Sequence, residues 1–381
     1  MASSSASSFA SSAPSVLEPG PAGRVSLKGR ELLMLGSNNY LGLANHPAVV
    51  QAVIEAVSRH GVGTGINPCF VRTCVHAALE EELADFLSVE AVLLFASCSA
   101  ANAGVLTVLA QAGDVIHSDR MNHASIIDGC RLSRAGTSVY AYRNMAELRS
   151  QLDSLPQGAR SLVITDGVFS MEGHVAPLQE IAVLARRRGA RLVVDDSHAT
   201  GVLGPRGAGS AALAGLDPDS IVTTGTFSKA LGGAPGGFAA GSADAIAELR
   251  AQARSFIFTT GMSVADAAAS LAALRQLRDH PEHLDRLRSN TQAFRAGLRR
   301  HGFQIEEAPS PINPLHAGND RRAMAIHARL LELGVFVPAM VFPIVARDDA
   351  RLRAQPSAAL TIEQIGETVE AIAIAFSECA A

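Results

Sequence analysis

Lysine is scarce in this chain: of 32 basic residues only Lys28 and Lys229 are lysines, and the rest are arginine. Codon bias accounts for the arginine excess and makes the retained Lys229, in the Gly-rich segment TGTFSKALGG, the more informative. Arginine stays protonated, whereas a lysine amine can lose its proton and attack a carbonyl. Cysteine is sparse too. The five present (Cys69, Cys74, Cys98, Cys130, Cys379) are odd in number and form no CxxC or Cys/His zinc spacing. Neither a disulfide framework nor a zinc site is indicated, and reduced thiols in a cytoplasmic setting are expected. The net charge of −4 and a pI near 6.3 leave no basic field to concentrate nucleic acid or anionic lipid. No apolar run reaches the roughly 18 residues of a membrane span, and the first 15 residues lack the charged start and apolar stretch of a secretory signal. No internal repeat is visible.

At 381 residues the chain exceeds the usual domain size of roughly 100–200, so a large core with an appended domain is expected. Residues 1–30, rich in Ser, Ala, Pro and Gly, read as a disordered or extended arm. From 31 to about 275, short β-branched runs alternate with helical patterns, which predicts an α/β fold with a mostly parallel sheet wrapped by helices. The clearest strands are Ser161–Thr165, Arg191–Asp195 and Ile221–Thr224. Between the first two, PLQEIAVLARRRG has Pro177 at a first turn, Arg186–Arg188 at the C-terminal end and Gly189 as its cap, completing a βαβ unit. After 275 the texture changes. Leu284, Leu287, Thr291, Phe294 and Leu298 repeat at helical spacing before Gly302, opening a smaller α+β domain over 276–381.

In an open parallel sheet, ligands gather at the carboxyl ends of strands, and three motifs stand there. In RLVVDDSHATG, Asp195 closes a buried strand and His198 follows three residues later. A carboxylate in that position needs a partner, and a protonated pyridinium nitrogen is a suitable one; capping of the next helix is the plainer alternative. In TGTFSKALGG, glycines allow tight turns while Thr224, Thr226 and Ser228 offer hydroxyls to a phosphate. In LLFASCSAANAG a strand breaks into Ser97, Cys98 and Ser99 before a helix whose first amides can hold a phosphate. His123, in DRMNHASIIDG, lies between these motifs; it is either a structural histidine or an imidazole stacked on a flat ring.

Five ordered segments, SNNYLGLANHP (37–47), DRMNHAS (119–125), TDGVFSMEGHVAPL (165–178), VDDSHATGVLGPRGAG (194–209) and GTFSKALGG (225–233), resemble the α-oxoamine synthases. The similarity continues through SPINPL, GVFVPA and ARLR and covers about residues 31–375. The resemblance implies a fold type I pyridoxal-phosphate transferase, a homodimer with its sites at the subunit interface. It implies a reaction in which an amino acid and an acyl thioester condense with loss of CO2 to give an α-oxoamine. Coenzyme A or an acyl carrier protein would deliver the acyl group. By position, Lys229 matches the lysine that carries the cofactor and serves as general base, Asp195 the partner of the ring nitrogen, His198 the donor to the ring hydroxyl and His123 the stacking imidazole. Ser97, Cys98, Ser99 and Thr226 match phosphate contacts, and Thr260 a contact supplied from the opposite subunit. Ser170 matches a pocket serine. Asn39 and Arg353 match substrate-binding positions, Arg353 as the clamp on the amino-acid carboxylate. Alternation in a strand places Arg351 and Arg353 on one face, so geometry alone does not choose between them.

The chain departs from common members in INPCFVRTCVH after the GTG at 63–65, at Cys98-Ser99, at Ser263-Val264 and in an N-terminus where many members have a helix. Two other readings stay open. The same fold can run a different reaction, such as retro-Claisen cleavage or chemistry on an unusual amino acid, and it can serve as a non-catalytic partner subunit. Retention of Lys229, Asp195, His198 and His123 together speaks against the last.

Overall fold

The computed structural model describes residues 16–20 and 23–379. Three N-terminal strands come first: β1 (Leu17–Pro19), β2 (Arg24–Leu27) and β3 (Arg30–Met34). The segment 1–30, expected to be a disordered or extended arm, contains β1 and β2; residues 1–15, 21 and 22 lie outside the described residues. The central sheet is built from β4 (Ala91–Phe95), β5 (Val115–Asp119), β6 (Gly136–Tyr140), β7 (Ser161–Asp166), β8 (Arg191–Asp195), β9 (Val222–Thr226) and β10 (Gly237–Gly241). Its order is β4-β10-β9-β8-β7-β5-β6, parallel from β9 to β6, with β10 antiparallel to both neighbours.

The strands read from the sequence fall within a residue or two of those observed. β7 is buried at all six positions and β8 at its last four, as expected of strands covered on both faces by helices. Helix Leu178–Arg188 connects them, with Pro177 at its N-cap and Gly189 in the left-handed conformation at its end.

After the 19-residue helix Glu282–Arg300, a second layer is formed by β11 (Asn313–Gly318), β12 (Val335–Phe336), β13 (Ala339–Met340) and β14 (Ala350–Ala354). β12 pairs with β3, so the N-terminal strands belong to a sheet ordered β1-β2-β3-β12, and Leu33 and Leu35 share a core with Phe294, Leu315 and Leu352. Within this layer β14 runs between β11 and β13. Among the described residues no helix is long and apolar enough to cross a membrane.

Candidate active site

Three strand ends and one helix start converge on a cavity of about 320 Å3 lined by Ser97, Cys98, Ser99, His123, Ser170, Asp195, His198, Thr226 and Lys229. Asp195 ends β8 and is 3% exposed. Its Oδ2 accepts from the side-chain amide of Asn102 at 2.7 Å, and its Oδ1 from the Ser197 amide at 3.0 Å. Asn102 is wholly buried; its Oδ1 accepts from Thr224 Oγ1 at 2.7 Å and its amide also reaches Ser125 Oγ at 2.9 Å. The sequence reading missed Asn102, although its place one helical turn after Cys98 puts it on the face of that helix turned toward the strand ends.

Lys229 sits after β9 and is partly buried. Burial lowers its pKa, and the neighbouring Asp195 opposes part of that effect, so the neutral amine is more accessible than in a free lysine. His198 is held by the hydroxyl of Tyr40, 2.7 Å from its Nδ1. Burial drives the His198 pKa well down, and the positive charges of Lys229 and Arg353 push the same way, so the imidazole is neutral. Tyr40, lifted to about 12 by burial, keeps its proton and donates to Nδ1, which leaves Nε2–H for the cavity. Tyr40 lies 158 residues from His198, a pairing that only the tertiary fold reveals.

His123 precedes the helix Ala124–Leu132, its backbone amide donating to Asp166 Oδ2 at 2.8 Å and its Nδ1 2.8 Å from Ser125 Oγ. Asp166 is the register partner of Asp195 across β7 and β8. Burial first, and then the Asp195 charge, hold the Asp166 carboxyl well above the usual range. Cys98 Sγ stands 3.6 Å from Asp195 Oδ2 and accepts from Ser197 Oγ at 3.2 Å. Burial and Asp195 push its pKa well up, keeping it a thiol.

Ser97 caps the helix Cys98–Leu109 through its hydroxyl, 3.1 Å from the Ala100 amide. The first amides of that helix have no acceptor within it and face the cavity end. β10 closes the other side. A side chain on Gly237 would put Cβ 2.3 Å from Cys98 N, so only glycine lets this strand abut the loop. Thr226 Oγ1 and Ser228 Oγ lie 2.7 Å apart across the same end.

Pyridoxal phosphate fits these donors: amides and hydroxyls for a phosphate at one end, a buried carboxylate for a ring nitrogen at the other, and an amine beside them. Three further residues, Asn39, Arg353 and Thr260, do not line this cavity. The Asn39 side chain is engaged in its own turn, accepting from the Ala44 amide at 3.3 Å, and Asn38 takes the place beside Arg353, its Oδ1 accepting from Nη1 at 3.2 Å. Arg353 is 5% exposed, does not line the cavity, and has Nε and Nη2 buried without partners among the described residues. Thr260 is exposed and borders a separate cleft with Thr64, Pro68 and Arg72.

Arg351 shares the β14 face with Arg353 but has its own partners. It is 2% exposed and pairs with Glu172 Oε1 at 2.6 Å and with the Asp349 carboxylate. Glu172 follows Ser170 by two residues, so this pair ties β14 to the turn that carries a cavity residue. Substituting each arginine therefore separates two roles. Arg353→Ala is expected to weaken amino-acid affinity about ten- to a hundredfold, the equivalent of a lost charge-assisted bond of about 1.5–3 kcal/mol, with cofactor absorbance unchanged. Arg351→Ala is expected to lower stability instead, near the lower end of the roughly 3–5 kcal/mol for a broken buried pair, since Glu172 keeps some solvent contact. Amino-acid titration and denaturant unfolding of both variants check this; equal amino-acid affinity in parent and Arg353→Ala removes the clamp.

A carboxylate, a lysine and two histidines on the rim of a mostly parallel sheet define the class of fold type I pyridoxal-phosphate transferases. The aminotransferase class I and II family model matches residues 30–372. The chain is 45% identical over 354 residues to the 8-amino-7-oxononanoate synthase of Geobacter metallireducens, covering 92% of this chain and 90% of that one. It is 44% identical over 349 residues to the enzyme of the same name from Symbiobacterium thermophilum, covering 91% and 89%. A serine palmitoyltransferase from S. paucimobilis, solved with bound PLP and myriocin, superposes with a TM-score of 0.91 at 28% identity, covering 96% of this chain and 93% of that chain.

The chain belongs to the aminotransferase class I and II family and, within it, to the α-oxoamine synthases. It is a pyridoxal-phosphate-dependent acyltransferase that condenses an amino acid with an acyl thioester, releasing CO2 and thiol.

Proposed function

We propose that the amino acid is alanine, that the acyl group is a seven-carbon dicarboxylic chain, and that the product is 8-amino-7-oxononanoate. The relatives at 44–45% identity carry that product in their names. Taken apart, a nine-carbon acid with an oxo group at C7 and an amine at C8 is a C7 diacid joined to alanine minus CO2. When bound, pyridoxal phosphate supplies an aldehyde for attachment and an electron sink for the carbon next to the amine.

The chain's own residues do the rest in this reading. Lys229 holds the cofactor and moves the proton at the amino-acid Cα. Asp195, fixed by Asn102, keeps the ring nitrogen protonated; His198, oriented by Tyr40, donates through Nε2, and His123 covers the ring. The Cys98 and Ser99 amides with Thr226 and Ser97 hold the phosphate. Arg353, whose Nε and Nη2 are buried without a partner among the described residues, grips the amino-acid carboxylate beside Asn38. Convergence of Lys229, Asp195, His123 and His198 on one cavity carries the assignment.

We further propose a cytoplasmic homodimer in which Thr260 serves the neighbouring site. Thr260 is exposed away from its own chain's cavity, in a cleft it shares with Thr64, Pro68 and Val71. Whether coenzyme A or a carrier protein presents the acyl group is decided by comparing the two donors. With holoenzyme, alanine and heptanedioyl-coenzyme A, CO2 and free thiol are expected in equal amounts. CO2 released without thioester, or thiol released without CO2, overturns the condensation; turnover with serine or glycine in preference to alanine overturns the substrate.

A further inference from the structure

A separate cleft of about 500 Å3 opens along the helix Glu282–Arg300 and shares no lining residue with the catalytic cavity. Arg288, Gln292, Arg295 and Arg299 follow one another at helical spacing, which puts them on one face, and all four line the cleft. Val202, Leu287, Pro309 and Pro311 give it an apolar wall. Two exposed carboxylates stand near the arginines: Glu307, 2.6 Å from Arg299 Nη1, and Asp285, 3.6 Å from Arg288 Nη1. Arg295 has no carboxylate partner among the described residues, so positive charge is in excess along this face.

Arg295 is 5% exposed. Its Nε donates to Asn313 Oδ1 at 2.6 Å, its Nη2 to Ser310 O at 2.7 Å and Ile312 O at 3.3 Å, and its Nη1 to Ala308 O. All these acceptors are neutral, and one Nη1 N–H is left over. A charge buried without a counter-charge is uncommon, because nothing of opposite sign offsets its lost hydration. The same bonds fix the facing wall, and Ser310 Oγ ties that wall to Gly173 O at 2.6 Å, so the cleft is preformed. Arg288, which is exposed, spends only its Nη2, on Gly204 O at 3.0 Å.

We propose that this cleft binds a small organic anion, a phosphate ester or a carboxylate, with its charged group between Arg288, Gln292 and Arg295 and its organic body against the apolar wall. Guanidinium forks match the paired oxygens of either anion, and an oxyanion supplies the counter-charge that Arg295 lacks. The volume exceeds what a bare ion needs and falls within the roughly 300–1,000 Å3 of small-molecule sites. The site stands apart from the condensation reading, since none of these residues lines the catalytic cavity.

The test is equilibrium binding of phenyl phosphate and, separately, of benzoate to the holoenzyme, whose own cofactor phosphate keeps the catalytic phosphate contacts occupied. Saturable binding is expected, weakened about tenfold in Arg288→Gln and about threefold in Gln292→Ala, the losses of a charged and of a neutral hydrogen bond. Both residues are exposed, so the variants are expected to keep the parent's unfolding temperature. Arg286→Gln, on the same helix but outside the cleft, is expected to bind as the parent does. Binding of phenyl phosphate alone assigns a phosphate ester and binding of benzoate alone a carboxylate, and either upholds the site. No saturable binding of either probe, or equal affinity in the parent and Arg288→Gln, overturns the site and leaves the condensation reading untouched.

Discussion

Lys229→Ala is expected to lower turnover by roughly 10⁴-fold or more, because one substitution removes both the attachment point of the cofactor and the base beside the amino-acid Cα. The chain offers no substitute. Lys28 is its only other lysine and stands between β2 and β3, outside the cavity. Burial of Lys229 already favours its neutral amine, the form that condenses with an aldehyde. The phosphate contacts and Asp195 are untouched by the change, so the variant is expected to take up cofactor without holding it covalently. Borohydride reduction followed by peptide mapping reads this directly: the parent is labelled at Lys229 and the variant is not. Label at Lys28 in the parent, or turnover within tenfold of it in the variant, would remove Lys229 from its role.

Much of the sheet was legible because strands buried on both faces leave long apolar runs, as at SLVIT and RLVVD. Helix Leu178–Arg188 was legible because its ends carry Pro177 and Gly189. β10 was harder. GFAAG is short and glycine-rich, and neither its antiparallel pairing with both neighbours nor the close approach of Gly237 to Cys98 is encoded in a local pattern. β1 and β2 were hidden by a composition that resembles an unfolded arm, although they pair in register with each other and with β3.

Within the site, residues at strand ends were found by position, since the carboxyl edge of a parallel sheet gathers chemistry whatever the side chains are. Residues that act through others were not. Tyr40 and Asn102 reach His198 and Asp195 only after distant segments meet. Adjacent asparagines at 38 and 39 cannot be told apart by spacing, and the turn decides by engaging Asn39 with Ala44. Arg351 and Arg353 share a face as alternation requires, yet their partners, Glu172 for one and Asn38 for the other, come from separate parts of the chain.

Asp195→Asn is expected to lower turnover by about 10²–10³-fold, the range for removing one preorganised electrostatic contact, while cofactor binding persists. The substitution is informative because it spares the plainer role. Asp195 Oδ1 accepts the Ser197 amide at 3.0 Å, a local turn-forming bond that an asparagine oxygen makes equally well, and Asn and Asp are near equals in such positions. What asparagine cannot supply is negative charge at the ring nitrogen. Asp166 does not replace it, since burial and its neighbour raise that carboxyl's pKa and so disfavour its charged form, and its Oδ2 is committed to the His123 amide. Steady-state turnover alongside cofactor absorbance and thermal unfolding separates the outcomes. Reduced turnover with intact absorbance and unfolding temperature assigns Asp195 to the cofactor ring, whereas turnover within a factor of a few of the parent would make it a cap and nothing more.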